Sequence, residues 1–361
     1  MNAEAAVRRL THKLDRSTSD RFPVAPIALV TGRHLELSSG DPDQPFFVAS
    51  IDKVFIATLI AQLVEAGGLR LDSPLGELLR REDLAPLPTA PGIENARDVT
   101  VEHLLSHTSG LPDVMLPPRG YDTECAIPKL AAAPSRVWTI AEFLQQAAHL
   151  PPIARPGERF LYSDTGYFLL IRIIEEVGGS DFAEQLGARI FEPAGMTDSA
   201  RWIGTDADGI AALAPALAPF WLDASGPVCG GDVSGVFAPN LAWVNGLGGP
   251  STAHDLVRFQ YALHGGELVD PAWIRFFATP RNRFRPGIHY GAGMNTLRFG
   301  GFFPLLRGYP QPAGGLGYTA THMYYYPEQR THVILNYHSH QRMRKSFHMH
   351  ISLAGLILRY G

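Results

Sequence analysis

The chain has 361 residues, of which 45% are hydrophobic and 18% are charged, close to the average of globular proteins. It can therefore bury a sizeable core, and its length allows one large domain or two. The formal net charge of −4 gives no basic footprint for nucleic acid, so we expect no nucleic-acid partner.

The start of the chain and its longest apolar run both argue against a membrane segment. Met1 to Leu10 is polar and charged, and no apolar segment follows it, so no signal peptide is expected. The run from Val54 to Val64 is interrupted by Gln62 and is too short to span a bilayer. We therefore predict a cytoplasmic protein with no membrane partner.

The two cysteines, Cys125 and Cys229, are too few for a disulfide scaffold. A single bridge between them stays open, but two free thiols in a reducing compartment are favoured.

Hydrophobic periodicity and turn residues predict helices and strands along the whole chain. In chain order, the sequence predicts a helix over 1–16, a strand over 25–30, a helix from about 50 to 66, helices over 100–105, 139–150 and 167–177, a loop or insertion over 211–240, strands over 319–326 and 331–337, and a helix over 343–360. Strands at both ends with helices between them predict an α+β fold, in which one antiparallel sheet is built from both chain termini and flanked by helices.

We expect a single catalytic domain over 1–361. Its α/β part would comprise about 1–75 and 241–361, and a mostly helical insert would comprise about 76–240. A cleft between two such parts is a common location for a ligand site.

Ser50 and Lys53 form a Ser-x-x-Lys box at the start of a strongly apolar helix. Residues three apart on a helix share a face, so the hydroxyl and the amine can meet. The helix N-terminus offers unpaired N–H groups to a developing oxyanion. The apolar helix predicts that Lys53 is buried, which disfavours its charged form and would make it a usable base.

Tyr162, Ser163 and Asp164 precede a second apolar helix and form the next chemical box. A phenol beside a lysine can relay a proton between nucleophile and leaving group, and Asp164 can hydrogen-bond Lys53. Taken alone, the segment is also compatible with a buried tyrosine followed by an N-cap residue.

Ser50-x-x-Lys53, the segment Leu104 to Leu111 and Tyr162-Ser163-Asp164 occur in an order that resembles the class C β-lactamase and D,D-peptidase superfamily of penicillin-binding-protein-like serine hydrolases. That superfamily includes esterases, D-aminopeptidases and amidases of the same architecture. The resemblance extends over roughly residues 41–337. It implies a β-lactamase-like fold, an acyl-enzyme on Ser50, Lys53 and Tyr162 as its proton-transfer partners, and no cofactor or metal.

The superfamily's third box normally holds Lys or His, a small residue and Gly on the strand that lines the cleft. The matching run here is Gly315 to Gly317, or Ala313 to Gly315 in an alternative register, and neither contains a cation. The resemblance implies that the N–H of Tyr318 joins that of Ser50 in an oxyanion hole.

The resemblance also implies that Asp164, Gly315 and Gly317 contact the substrate. A cation in the third box would attract the carboxylate of β-lactams and of acyl-D-Ala-D-Ala peptides. Its absence makes those substrates less expected and favours the esterase branch, where this box is often degenerate.

Several histidines are interpreted as structural. His107 lies in the segment Leu104 to Leu111, where the resemblance implies a hydrogen-bonded buried side chain. The pairs at 338 and 340 and at 348 and 350 lack the carboxylate or cysteine partners of a zinc site, so no metal is expected.

Ser251 is a rival nucleophile. Gly249 to Ala253 approximates the Gly-x-Ser-x-Gly elbow of α/β-hydrolases, with Asp270 and His322 downstream in a permissible order. Such an elbow must follow a buried strand, and the preceding residues are too glycine-rich to form one.

The sequence therefore predicts a serine hydrolase that cleaves a small carboxylic ester by two-step acyl transfer. An amidase or peptidase acting on D-amino-acid compounds and a weak β-lactamase are alternatives. A catalytically silent member that binds a peptidoglycan-like or acyl ligand is an alternative of another class. The expected partner is a small ester or amide, and the sequence leaves the oligomeric state open.

Overall fold

The structure is a computed structural model and describes residues 2–88, 96–223, 226–229, 240, 243 and 246–361. Its strands are β1 (Ile27–Thr31), β2 (Glu36–Ser39), β3 (Phe46–Phe47), β4 (Pro250–Ser251), β5 (Asn282–Arg285), β6 (Ile288–Tyr290), β7 (Asn295–Leu297), β8 (Ala313–Gly317), β9 (Thr321–Tyr326) and β10 (Thr331–Asn336). Eight of them form one sheet in the order β2-β1-β10-β9-β8-β7-β6-β5, with antiparallel pairing throughout. The predicted antiparallel sheet from both ends of the chain is confirmed.

The helices fall before, between and after these strands. They are α1 (Ala3–Asp15), α2 (Asp52–Glu65), α3 (Leu75–Leu78), α4 (Arg81–Leu84), α5 (Val101–Leu105), α6 (Ile127–Ala132), α7 (Ile140–Gln146), α8 (Asp164–Gly178), α9 (Phe182–Leu186), α10 (Thr197–Ala200), α11 (Ala207–Leu213), α12 (Ala253–Gly265), α13 (Ala272–Ala278) and α14 (Met343–Tyr360). The predicted helix over 343–360 has the observed bounds of α14.

The sheet buries both of its faces, because successive side chains of a strand point to opposite sides. On one side, Ala28 and Val30 of β1 pack with Leu353 and Ile357 of α14. On the other, β1 contributes Ile27 and Leu29 to a larger core that contains the apolar residues of α2 and α8. Helix α2 therefore lies between the sheet and the helical part of the chain.

Two predicted elements need correction. The helix predicted over 167–177 begins earlier, at Asp164, because Ser163 adopts the extended N-cap conformation one residue before it. The loop predicted over 211–240 begins as helix, because Asp206 caps α11 by accepting a hydrogen bond from the Gly209 N–H and alanine favours helix. Part of that predicted loop lies outside the described residues.

A buried chain of hydrogen bonds joins β9 to α14. Ser346 Oγ lies 2.8 Å from the Met343 carbonyl and 2.8 Å from His322 Nε2. Because a hydroxyl has one hydrogen, Ser346 donates to the carbonyl and accepts from His322. The two Nδ1 atoms of His322 and His350 are 2.9 Å apart, so His350 donates there, and its Nε2 accepts from the Tyr326 hydroxyl at 2.9 Å.

This direction of donation requires both imidazoles to be neutral. Burial lowers the pKa of His350 to about 3 and holds the pKa of His322 well below its usual value.

No helix among the described residues is long and apolar enough to cross a membrane.

We predict that His350 makes stability depend on pH. The pKa of His350 is depressed to about 3 in the folded state, from 6.5 in the unfolded chain. Its contribution to the free energy of unfolding is therefore complete above pH 6.5 and is lost as the pH falls toward 3. The destabilisation caused by His350→Gln should therefore shrink by about 2 kcal/mol between pH 7.5 and pH 5. Urea unfolding at the two pH values measures this change.

The matched control is His348→Gln, because His348 lies two residues away on the exposed side of α14. It should change stability little at either pH. A destabilisation by His350→Gln that is equal at both pH values would contradict a neutral, buried His350.

Candidate active site

Ser50 lies in a single 3-10 turn, Ala49–Ile51, that leads directly into α2. Ala49 adopts a left-handed backbone with φ of 49°, which bends the chain sharply just before the serine. Gly248 packs against this bend, where a Cβ would lie 2.6 Å from the Ala49 carbonyl oxygen. The Ser50 N–H belongs to the first turn, so it has no acceptor within the helix.

Lys53 lies one turn after Ser50, as the sequence predicted. Its Nζ is 3.4 Å from Ser50 Oγ, 2.5 Å from Asp164 Oδ1 and 3.9 Å from Asp52 Oδ1. The lysine side chain is only 3% exposed and that of Asp164 13%. Asp164 occupies the first position of α8, so the packing of α8 on α2 brings the two charges together.

Lys53 is buried as predicted, but burial does not leave its amine neutral. Burial does lower its pKa, but the ion pair with Asp164 and the nearby Tyr162 and Asp52 outweigh burial and raise the pKa well above its usual value. The resting site therefore holds an ammonium at Lys53, and any proton that leaves Ser50 needs a further acceptor.

Tyr162 joins the same group. Its phenol is hydrogen-bonded to the Ser50 side chain, and its ring centroid is 5.4 Å from Lys53 Nζ. Burial, opposed by Lys53, raises the phenol pKa well above its usual value. Tyr162 is thus a neutral hydrogen-bonding group between the serine and the lysine.

His107 supports Tyr162 and does not face Ser50. The two rings stack with centroids 4.3 Å apart, and His107 Nδ1 accepts a hydrogen bond from the Ser163 N–H at 3.1 Å. Burial is the main cause that holds its pKa well below the usual value, with Lys53 adding to the effect. This geometry fits the structural interpretation of His107.

Strand β8 approaches the Ser50 turn very closely. A Cβ at Gly315 would lie 3.1 Å from Ile51 and Val54 side-chain carbons, and a Cβ at Gly317 would lie 2.4 Å from the Val48 carbonyl oxygen. Glycine at these positions lets Tyr318, the next residue, line the same cavity as Ser50.

Ser50, Lys53 and Tyr162 open into a cavity of about 400 Å³ between the sheet and the helical part. Its lining is mostly apolar and comes from both parts, namely Phe47, Met115, Leu116, Ile127, Leu130, Leu222, Leu247, Phe284, Ile288, Leu316, Met343 and Phe347. A volume of this size suits a small organic substrate.

Sequence reasoning missed one cation, one imidazole and one acid of this site. Arg285 and His340 line the cavity, and His340 stacks on the Tyr318 ring with centroids 4.4 Å apart. Asp113 is buried, and its pKa is raised to about 7 by burial first and by Asp164 second. No local motif marks these residues, because long-range packing brings them to the site.

Tyr290 of β6 was also missed. Its phenol is hydrogen-bonded to that of Tyr167, and Tyr167 donates to the Leu105 carbonyl at 3.1 Å. The Tyr290 ring also packs edge-on against the His107 ring, with the two centroids 4.6 Å apart. The two tyrosines close one side of the group formed by Lys53 and Tyr162.

The residues of the rival elbow do not meet. Ser251 is fully buried and its hydroxyl lies 2.9 Å from Ser199 Oγ, whereas His322 bonds to Ser346 and His350. Strand β4, which holds Ser251, has two residues and pairs with β3.

Within the described ranges, no group of three or more His, Cys, Asp or Glu side chains could hold a metal ion. The histidine pairs at 338 and 340 and at 348 and 350 are therefore not part of such a group. Cys125 and Cys229 are both buried, and no disulfide bond links them, which agrees with the favoured interpretation.

Comparison with known proteins gives consistent matches. The beta-lactamase family model matches residues 20–352. Penicillin-binding protein 4 of Amycolatopsis lactamdurans is 33% identical over 193 residues, covering 50% of this chain and 45% of that protein. Esterase EstB of Burkholderia gladioli is 30% identical over 217 residues, covering 55% of this chain and 52% of that protein. The chain thus spans about half the length of these curated relatives.

Among solved structures, D-amino acid amidase from Ochrobactrum anthropi SV3 has a TM-score of 0.74 at 21% identity, with 99% of both chains covered. Similarity at this identity shows a shared fold.

We predict that Asp164 sets the charge of Lys53. In Asp164→Asn the ion pair is lost while burial remains, so the Lys53 pKa should fall from above its usual value to below it. The chain has four lysines, Lys13, Lys53, Lys129 and Lys345, so a ¹³C NMR titration of the lysine side chains can follow each one. Lys345 serves as the internal control, and an unchanged Lys53 pKa would contradict the assignment.

Proposed function

The chain belongs to the beta-lactamase family of serine hydrolases, and on that premise we propose that it cleaves small, apolar carboxylic esters through an acyl-enzyme on Ser50. The observation that carries the proposal is the meeting of Ser50, Lys53 and Tyr162 at one wall of an apolar cavity. A nucleophile hydrogen-bonded to proton-transfer groups is what covalent catalysis of acyl transfer needs.

The proton of Ser50 has a route within this group. As Ser50 Oγ attacks the ester carbonyl, its proton passes to Lys53, directly or through Tyr162, while Lys53 gives a proton to Asp164. The Nζ–Oδ1 distance of 2.5 Å supports this second transfer. The alcohol then leaves with the proton returned through the same groups, and water hydrolyses the acyl-enzyme by the same steps in reverse.

The oxyanion is assigned to the backbone N–H groups of Ser50 and Tyr318. Both residues line the cavity, and the close approach of β8 to the Ser50 turn brings them to the same wall. Each backbone donor aimed at the developing charge contributes roughly 3 kcal/mol of transition-state stabilisation.

The cavity supports an ester with an apolar acyl or alcohol part. The third box contains no cation on β8, which argues against a β-lactam or an acyl-D-Ala-D-Ala peptide held by that strand. The name esterase EstB, borne by a relative, is in line with this substrate class. Rates for matched ester, amide and β-lactam substrates separate the ester proposal from the amidase and β-lactamase alternatives.

We predict that Ser50→Ala lowers kcat/KM for p-nitrophenyl butyrate by about 10⁴-fold or more, because the acyl-enzyme cannot form. A fluorophosphonate probe should label Ser50 in the unmodified protein and fail to label this variant. The matched control is Ser251→Ala, which removes the rival hydroxyl and should keep the label.

Absence of both label and hydrolysis in the unmodified protein, between about pH 6 and 9, would instead support a catalytically silent binding protein. Activity that survives Ser50→Ala and disappears in Ser251→Ala would assign the chemistry to the other serine.

We also predict that acyl-chain length matters. With an apolar lining, kcat/KM should rise about tenfold from p-nitrophenyl acetate to the hexanoate. Leu130→Trp narrows the cavity and should remove most of that gain, whereas Val137→Trp, at an exposed position, should retain it. Equal rates across the series in the unmodified protein would contradict an apolar substrate site.

A further inference from the structure

A second cavity, of about 710 Å³, lies between α1 and α14, away from Ser50. We call it the terminal groove. No residue that lines it is acidic. Its lining includes five basic side chains and a tyrosine, namely Arg9, His12, Lys13, Arg16, Arg359 and Tyr309. In a chain with a net charge of −4, this is a strong local excess of positive charge.

The positive charges of the terminal groove repel one another. Arg9, Lys13 and Arg16 are spaced four and three residues apart, so they share one face of α1, and Arg359 lies across from them on α14. Within the part of the chain that the structure describes, none of the four forms an ion pair, whereas Arg8 on the same helix pairs with Glu4. An anion placed in the groove would relieve this repulsion.

Exposed apolar side chains lie next to the groove. Leu305 is 96% exposed, and Phe303 and Leu358 are each about half exposed. Phe302 packs on Phe347 with ring centroids 5.3 Å apart, and Phe347 shares a face of α14 with Leu358. The loop that carries Phe303 and Leu305 is therefore on the same side of α14 as Leu358.

Tyr309 connects this loop to the groove. Its hydroxyl would lie 3.0 Å from a Cβ at Gly355, so the phenol rests on the α14 backbone within the groove. Tyr309 thus links this loop to the groove, and we call the groove together with Phe303, Leu305 and Leu358 the docking face.

We propose that the docking face binds an anionic membrane surface, with lipid phosphate groups in the terminal groove and Phe303, Leu305 and Leu358 inserted among the acyl chains. Cations that bind phosphate and apolar side chains that insert are together typical of proteins that lie on a membrane. A soluble phosphate would satisfy the cations but would leave the three apolar side chains exposed. This mode of binding needs no spanning helix, and it revises the expectation that the protein has no membrane partner.

The docking face also adjoins the candidate active site. A Cβ at Gly287 would lie 2.6 Å from the Phe302 ring, and Phe284, Arg285 and Ile288 of the same hairpin line the cavity of Ser50. Docking would therefore bring the cavity close to a source of apolar esters. The docking proposal itself does not depend on the esterase activity.

Co-sedimentation of the full chain with vesicles tests the proposal. We expect binding to phosphatidylcholine vesicles that contain roughly a third phosphatidylglycerol, weaker binding as salt is raised, and little binding to pure phosphatidylcholine. Arg9→Ala combined with Lys13→Ala should weaken partition about 25-fold, or about fivefold for each cation. The matched control, Arg8→Ala, removes a paired cation from the same helix and should have little effect.

Leu305→Ser should weaken partition about tenfold through the loss of an inserted side chain. Circular dichroism and thermal unfolding of each variant verify that the fold is intact. Equal binding to neutral and anionic vesicles, or an equal effect of Arg8→Ala and the double variant, would overturn the proposal. So would binding of glycerol phosphate or a duplex oligonucleotide to the groove without binding to vesicles.

Discussion

The buried ammonium of Lys53 is the constraint on which the site depends. A charge removed from water costs several kcal/mol unless a close partner compensates it. Asp164 supplies that partner from the first position of α8, so α2 and α8 must pack with their N-terminal ends together. The same packing presents Ser50 and Tyr162 to each other, so one ion pair orders the groups of the candidate site.

The site holds more acid than one lysine can balance. Burial is the main cause that raises the pKa of Asp52 and of Asp113 to about 7 each, with Lys53 opposing it and Asp164 adding to it. The protonation of these two carboxyls therefore changes around neutral pH, next to the contact of Asp164 with Lys53. With an asparagine at position 164, Lys53 would lose its closest charged partner and keep the more distant Asp52, at 3.9 Å.

Much of the fold could be predicted from local sequence. The apolar periodicity and the turn residues gave α2, α14 and the β9–β10 hairpin, because these elements are long or have a marked turn. The spacing of Ser50 and Lys53 also predicted their meeting, since that contact lies within one helical turn. The contact of Asp164 with Lys53 was predicted as well, but the charge of Lys53 was not, because it depends on how far this contact outweighs burial in the packed site. Arg285 and His340 were missed because long-range packing alone brings them to the cavity, where the Arg285 guanidinium supplies a positive charge that does not come from β8.

The pairing of β1 with β10 has a consequence for how the chain reaches its fold. Ile27 lies opposite Asn336, so these neighbours in the sheet are about 300 residues apart in sequence. Contacts of such long range slow folding, because a large loop must close before they form. During synthesis, β1 and β2 emerge early and must wait for almost the whole chain before the sheet can include them. Until then the apolar side chains on both faces of β1 are uncovered, which exposes the early chain to aggregation.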